Sequence, residues 1–229
     1  MGLMDEPDSM VQFVQAELSS LADPARAAPM AAYMKTDMPF YGVQKTARVP
    51  IERELKDRFP PADPADYRTK VLSLWGLPHR EEKYLAIGYA WTFKQHITFD
   101  QLDLFERMIA EGAWWDFVDE LATHMVGKVL LEDRGLMRPV LERWIDDEDM
   151  WLRRSAILSQ NRHKGQTDRA MLFDFCLRRA HEKEFFIRKA IGWALREYAR
   201  SQPDEVRSFL VEHRDRLSGL SLREAGKHL

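Results

Sequence analysis

A repeat with a period of about 35 residues constrains the fold of this chain more than any other sequence feature. The segment Trp151–Ala156 (WLRRSA) resembles Phe186–Ile191 (FIRKAI), which begins 35 residues later. The segment Ala86–Ala90 (AIGYA) resembles Ala190–Ala194 (AIGWA) at an offset of 104, close to three such periods. Repeat units of this length that hold two helices bury their apolar faces only against neighbouring units, as in an α-solenoid.

Helical spacing of apolar residues continues through nearly the whole chain, and strand signals are scarce. The opening segment shows it with Val11, Val14, Leu18 and Leu21, which share one helical face. The same spacing predicts further helices, with boundaries good to a few residues, over residues 24–36, 45–59, 64–75, 79–94, 98–111, 114–130, 134–145, 149–162, 167–180, 184–200, 203–214 and 219–228.

These helices predict one all-α domain over residues 1–229, a HEAT-like α-solenoid of antiparallel helix pairs. Tetratricopeptide repeats have the same length, but their Trp–Leu–Gly–Tyr pattern does not recur in register here. Two helix starts carry a local signal, since Asp23 and Asp63 each precede a proline. Proline fits the first helical position, and the aspartate before it can cap the helix.

Composition and missing motifs exclude several classes of protein. The longest apolar run, Met30–Met34, has five residues, whereas a membrane span needs roughly 20. The acidic start lacks a secretory signal and Cys176 is the single cysteine, so we expect a cytoplasmic protein without an internal disulfide. Glycine-rich phosphate loops, H-x-x-x-H pairs and G-x-S-x-G are all absent, and no metal site is predicted.

Charge is distributed unevenly along the chain, although the net charge is only −3. Residues 1–150 carry 17 Lys and Arg against 27 Asp and Glu, whereas residues 151–200 carry 12 against 5, a balance of +7. Clustered cations bind phosphates whatever the overall charge of a protein. The block at 151–200 is therefore either the footprint of a polyanion or a basic helical face in solvent.

The repeat brings together residues that can do chemistry. Asp119, Arg154 and Lys189 are one period apart, so we expect them on the same surface of three stacked units. Trp115 lies four residues before Asp119 and shares its helical face. Asp119 and Arg154 are also placed to form an inter-repeat ladder, so a purely structural pair is the alternative interpretation.

The last unit carries a stripe of cations. Lys189, Trp193, Arg196 and Arg200 occupy positions i, i+4, i+7 and i+11 of one predicted helix. A concave solenoid surface would then present a carboxylate, two indoles and several cations together. Most tryptophans of helical proteins are core residues, so burial of either indole is the alternative.

Four stretches resemble the DNA alkylation repair family of HEAT-like-repeat 3-methyladenine/7-methylguanine DNA glycosylases, and the similarity covers about residues 10–229. They are Met30–Lys35 with Phe40–Val43, Trp114–Asp119, Trp151–Arg154 and Phe185–Tyr198. The resemblance implies a solenoid whose concave face wraps duplex DNA. It also implies hydrolysis of the N-glycosidic bond of alkylated bases without metal or organic cofactor, and without flipping the base into a snug pocket.

The resemblance also implies roles for individual residues. The catalytic aspartate of the family falls on Asp119, the two tryptophans beside the sugar fall on Trp115 and Trp193, and the active-site arginine falls on Arg154. The DNA-contacting residues that we expect are Tyr33, Lys35, Lys189, Arg196 and Arg200.

Physical chemistry agrees with this assignment. A base alkylated at N3 or N7 is cationic and leaves readily, so the enzyme needs mainly to stabilise an oxocarbenium-like sugar with an ionised carboxylate. Arg154 beside Asp119 favours the charged form of that carboxylate. We therefore predict a monomeric alkylpurine-DNA glycosylase acting on double-stranded DNA. The alternative is a non-catalytic repeat scaffold that binds DNA or protein through the same face.

Overall fold

The computed structural model describes residues 6–229, and within this range the chain is all-α with no β-strand. The prediction of an all-α, solenoid-like fold is confirmed. Contacts divide the chain into two compact units, one ending at Ile97 and the other spanning Thr98–Leu229. That residues 1–229 form a single domain remains a prediction.

The unit that ends at Ile97 contains five α-helices in its described part. They are α1 (Glu6–Ser20), α2 (Pro24–Met34), α3 (Lys45–Arg58), α4 (Pro64–Trp75) and α5 (Arg80–Thr92). In α1 the buried stripe is Met10, Val14 and Leu18, whereas Leu21 lies beyond the end of the helix and is exposed. The predicted inclusion of Leu21 was therefore wrong, because the helix ends before the fourth position of its stripe.

The unit Thr98–Leu229 contains the matching segments Trp151–Ala156 and Phe186–Ile191, whereas Ala86–Ala90 lies in the other unit. The helices of the unit Thr98–Leu229 are α6 (Leu102–Gly112), α7 (Trp115–Glu120), a π-helical segment (Leu121–Val126), α8 (Gly127–Glu132), α9 (Arg134–Trp144), α10 (Met150–Leu158), α11 (Arg169–Arg178), α12 (Phe185–Ala199), α13 (Pro203–Glu212) and α14 (Gly219–Ala225). The π segment, α10, α12 and α14 form one row in which each packs on the next. Residues that are 35 positions apart in sequence therefore lie on neighbouring helices of this row.

Both sequence-predicted caps are present. The Asp23 carboxylate accepts a hydrogen bond of 3.0 Å from the backbone N–H of Ala25, at the start of α2. The Asp63 carboxylate accepts from Ala65 and Asp66 at 2.8 Å, at the start of α4. Each side chain thereby satisfies backbone donors that the first turn of a helix leaves without a partner.

The predicted helix over residues 114–130 is interrupted by the π segment Leu121–Val126, which the sequence pattern did not predict. Its wider turn changes which residues face the neighbouring helices. The Thr123 hydroxyl donates to the backbone carbonyl of Asp119 at 2.8 Å, directly after α7. A π segment therefore begins two residues after the predicted catalytic aspartate.

Close packing of α12 on α14 requires a glycine at position 192. A Cβ added at Gly192 would lie 2.4 Å from Glu224 Cβ and 2.9 Å from the Ser221 carbonyl oxygen. Gly88, which matches Gly192 in the sequence comparison, has no such constraint, since its added Cβ meets only the Glu52 side chain at 3.6 Å. Glycine at position 192 thus permits the close approach of α12 and α14, whereas glycine at position 88 lies at an ordinary contact distance from its neighbour.

This difference gives the first prediction. Gly192→Ala should destabilise the protein by about 1–3 kcal/mol, because α12 and α14 must move apart to accept the methyl group. Gly88→Ala is the matched control, and it should be neutral or slightly stabilising because alanine favours the helix. Chemical denaturation of both variants measures the difference, and an equal effect of the two substitutions would contradict the packing assigned to Gly192.

Candidate active site and nucleic-acid interface

Asp119 and Arg154 form a two-point ion pair that joins α7 to α10. Arg154 Nε donates to Asp119 Oδ1 at 2.7 Å, and Arg154 Nη2 donates to Asp119 Oδ2 at 2.8 Å. The Arg154 side chain is 5% exposed and the Asp119 side chain is 17% exposed. The predicted contact between residues one period apart is therefore present, with the guanidinium buried and the carboxylate partly open to solvent.

The third nitrogen of the Arg154 guanidinium also has a hydrogen-bond acceptor. Its Nη1 donates to the backbone carbonyl of Phe186 in the first turn of α12. Its Cζ lies 5.8 Å from the centre of the Phe186 ring. Phe186 in turn packs on Trp114 and Trp151, with ring centres 5.5 and 5.0 Å away. Arg154 thus connects three helices and lies beside an aromatic cluster that it contacts through Phe186.

The electrostatics of Asp119 depend on burial as well as on Arg154. Burial raises the pKa of the Asp119 carboxyl above its ordinary value, and the Arg154 guanidinium opposes this rise by hydrogen bonding and by its charge. The expected effect of Arg154 is present, but the net direction is upward because desolvation is the larger cause. A carboxylate with a raised pKa is a stronger base and is attracted more to nearby positive charge.

Both predicted tryptophans are partly exposed and neither is a fully buried core residue. Trp115 begins α7, one turn before Asp119. Trp193 lies in the middle of α12, and its Nε1 donates to Glu197 Oε1 at 3.2 Å. By contrast, Trp144 and Trp151 are buried. The two tryptophans singled out by their spacing therefore keep part of their indole surface accessible.

The cations Lys189 and Arg196 meet at one carboxylate, Glu224 of α14. Lys189 Nζ lies 2.9 Å from Glu224 Oε1, and Arg196 Nη1 lies 2.8 Å from Glu224 Oε2. Lys227 adds a third cation at 2.8 Å. These three groups lower the pKa of Glu224 to about 2, because their hydrogen bonds and charges favour the ionised form. Three cations against one carboxylate leave an excess of positive charge.

Sequence reasoning missed Glu224, although the repeat contained the signal. Glu224 lies 35 residues after Lys189, as Arg154 lies 35 residues after Asp119. The Lys189–Glu224 and Asp119–Arg154 pairs thus have the same sequence separation. Extending the period by one step would have found Glu224.

The remaining predicted cation of the stripe, Arg200, directly follows the last residue of α12. Its Nε lies 3.3 Å from Glu197 Oε2, and its side chain is largely exposed. Glu197 therefore contacts Trp193 through one oxygen and Arg200 through the other. The structure brings these two predicted site residues together through a carboxylate that the sequence reasoning did not name.

Tyr33 and Lys35 belong to the unit that ends at Ile97. Tyr33 lies in the last turn of α2 and is 77% exposed, which is unusual for so large an aromatic residue. Lys35 follows the helix in the left-handed conformation, with φ of 50°. Both side chains are exposed, as a contact to an external ligand requires.

The loop that follows Lys35 is held by a carboxylate that the sequence reasoning also missed. Glu81, fully buried, accepts hydrogen bonds from the backbone N–H groups of Tyr41, Gly42 and Val43 at 3.0, 2.8 and 2.9 Å. Gly42 has φ of 86°, and a Cβ there would lie 2.2 Å from the Asp23 carbonyl oxygen. The motif Phe40–Val43 thus fixes the loop beside the exposed end of α2.

None of the helices within residues 6–229 has the length and apolarity that a membrane crossing requires. Nowhere among these residues do three His, Cys, Asp or Glu side chains converge as a metal site would need.

Comparison with known proteins identifies a sequence family and a similar solved structure. The sequence profile described as "DNA alkylation repair enzyme" matches residues 14–229. A solved structure described as "Predicted DNA alkylation repair enzyme from Enterococcus faecalis" superposes with a TM-score of 0.83 at 28% sequence identity, covering 91% of this chain and 96% of the other. No curated protein matches this chain.

The ion pairs of Glu224 give the second prediction. Its pKa is depressed from 4.5 to about 2 in the folded protein, so its stabilising contribution is complete above about pH 4.5 and is lost as the pH falls toward 2. Glu224→Gln should lower the melting temperature at pH 6, and the difference from wild type should shrink toward pH 2.5.

Glu212→Gln provides the control, since Glu212 is an exposed carboxylate whose partner His213 lies 3.8 Å away. It should leave the acid dependence of melting unchanged. A difference between wild type and Glu224→Gln that stays constant from pH 6 to 2.5 would show that Glu224 does not act through its charge.

Proposed function

Because the chain belongs to the family of DNA alkylation repair enzymes, we propose that it is a monofunctional DNA glycosylase for cationic N3- and N7-alkylated purines. Its substrate is double-stranded DNA, which it binds as a monomer through a concave HEAT-like surface. The observation that carries the proposal is the geometry of Asp119, a partly exposed carboxylate fixed in place by the buried Arg154.

The reaction needs negative charge more than it needs an acid. The alkylated base already carries a positive charge, so it departs without prior protonation, and positive charge develops on the sugar. An ionised carboxylate that is held rigidly stabilises this charge without reorganising during the reaction. Arg154 holds Asp119 by two hydrogen bonds, which leaves the outer edge of the carboxylate available to the sugar or to an attacking water.

The two partly exposed indoles supply a complementary surface. Indole faces carry negative potential and attract cations. Trp115 and Trp193 in this proposal flank the damaged nucleotide, on either side of its cationic sugar. Because such a surface accepts a base without enclosing it, no snug pocket for a flipped base is required.

DNA binding in this proposal uses cations and one exposed aromatic residue. Lys189, Arg196 and Arg200 hold backbone phosphates, since Lys189 and Arg196 together with Lys227 outnumber the single carboxylate Glu224. Tyr33 and Lys35 provide further contacts from exposed positions.

A second function is favoured by one observation, the equal 35-residue separation of the Asp119–Arg154 and Lys189–Glu224 pairs. Pairs of this kind can serve as rungs of an inter-repeat ladder, in a scaffold that binds DNA or protein without catalysis. Purified protein that binds methylated duplex DNA but releases no free 7-methylguanine would favour this scaffold.

The third prediction separates catalysis from architecture at Asp119. Asp119→Asn leaves the buried Arg154 without a counter-charge, so it should cost about 3–5 kcal/mol of stability. It should also slow single-turnover release of 7-methylguanine by about 10- to 100-fold, measured well below the melting temperature. Loss of one electrostatic contact costs about 10²–10³-fold in other enzymes, and a readily departing base needs less help.

The matched control is Glu182→Gln, which breaks the neighbouring two-point pair of the same helix. Arg153 donates to Glu182 at 2.9 and 3.1 Å, and both side chains are mostly buried. This variant should lose comparable stability while the folded protein excises at the wild-type rate. Equal slowing of excision in the two variants would assign Asp119 to architecture alone.

The fourth prediction concerns selectivity. If the leaving base must bring its own positive charge, the protein should release 7-methylguanine and 3-methyladenine from duplex DNA but leave hypoxanthine and uracil in place. Chromatography of the free bases measures this directly. Rapid uracil release would contradict the mechanism, because uracil departs as an anion and needs a different stabilising group.

A further inference from the structure

A cavity of about 480 Å³ lies in the Thr98–Leu229 unit, between the loop that follows α10 and the C-terminal end of α12. This volume falls within the range of small-ligand sites, about 300–1,000 Å³. The cavity is lined by Asn161, Arg162, Lys164, Glu197, Arg200 and Ser201. Three of these six side chains are cations and one is a carboxylate.

The positive charge of the cavity is only partly neutralised. Arg162 and Lys164 are exposed, and among the described residues neither has an acidic partner within ion-pair distance. Glu197 is the one carboxylate of the lining, and both of its oxygens are already engaged. One accepts from Trp193 Nε1 at 3.2 Å and the other lies 3.3 Å from Arg200 Nε. The cavity is therefore built to attract an anion.

Lys164 occupies a backbone conformation that a lysine adopts at some cost. Its φ is 53°, in the left-handed region that glycine occupies more easily. Gly165 follows, and a Cβ there would meet nothing within 4 Å. A glycine at position 164 would thus relieve the backbone while removing the ammonium group, which makes the substitution a clean test of that charge.

We infer that this cavity binds one phosphate oxyanion through Arg162 and Lys164. The phosphate is supplied either by the backbone of duplex DNA or by free phosphate ion. A backbone phosphate would lie next to Glu197, which contacts Trp193, and so would anchor the strand beside the proposed site. The inference that the phosphate belongs to DNA rests on the proposed function, whereas the inference that the cavity binds phosphate does not.

The experiment compares wild type with the double variant Arg162→Gln/Lys164→Gly. Its matched control is Lys183→Gln/Arg214→Gln, which removes two exposed cations outside the cavity, again without an acidic partner among the described residues. One arm measures the affinity for undamaged duplex DNA by fluorescence anisotropy over a range of salt concentrations. The other arm measures melting temperature in sodium phosphate against sodium chloride at equal pH and ionic strength.

We expect phosphate to raise the melting temperature of wild type and of the control by more than that of the cavity variant. The general stabilisation that excluded phosphate gives to any folded protein is common to all three. For a DNA phosphate, the cavity variant should also bind duplex about tenfold more weakly at low salt, and the slope of log affinity against log salt should fall by about 0.9. Loss of phosphate protection with an unchanged DNA slope would support the site and identify free phosphate as its ligand.

Two results would overturn the inference. One is an effect of phosphate on melting that is equal in wild type and in the cavity variant, together with unchanged DNA binding by that variant; the other is equal losses in the cavity variant and the control. Because Lys164→Gly relieves the backbone, unfolding does not explain a loss of binding when the melting temperature in chloride is retained. Wild-type protein that binds no DNA would contradict the proposed function, while the phosphate arm would still decide whether the cavity binds an anion.

Discussion

The buried guanidinium of Arg154 is the interaction on which the rest of the Thr98–Leu229 unit depends. A charged group that is 5% exposed is tolerated only where its hydrogen-bonding groups are paired. Arg154 meets this condition by donating twice to Asp119 and once to the Phe186 carbonyl, so α7, α10 and α12 must keep their relative positions. The same requirement fixes the direction of the Asp119 carboxylate. The ion pair that the buried guanidinium needs thereby also holds a negative charge in a preorganised orientation.

Much of the fold was predictable because its signals are local. Aspartates before prolines mark helix starts at Asp23 and Asp63, and apolar residues at helical spacing mark nearly every helix within a few residues. The repeat period also predicted one tertiary contact, Asp119 with Arg154, because stacking places equivalent positions side by side. The π segment Leu121–Val126 has no comparable signal, since its extra residue per turn depends on packing against neighbours rather than on its own sequence.

The contact between two candidate site residues, Asp119 and Arg154, was predictable from the sequence, whereas the electrostatics of Asp119 were not. Sequence shows which charges can be neighbours, but it does not show how far they are removed from water. For this reason the expected effect of Arg154 on Asp119 was correct, while the net upward shift of the Asp119 pKa was not foreseen. The charge of the basic block at 151–200 could not be read from sequence for the same reason. Much of it is paired with acidic residues such as Glu182 and Glu224, whereas Arg162 and Lys164 have no acidic partner among the described residues.

The two pairs that share the 35-residue separation differ in which charge faces solvent, and this difference bears on function. In the Asp119–Arg154 pair the carboxylate is the more exposed partner, at 17% against 5%. In the Lys189–Glu224 pair the cation is more exposed, at 36% against 10%. The proposed function accounts for this reversal. A cationic sugar beside Asp119 and a backbone phosphate beside Lys189 would each meet the charge opposite to its own.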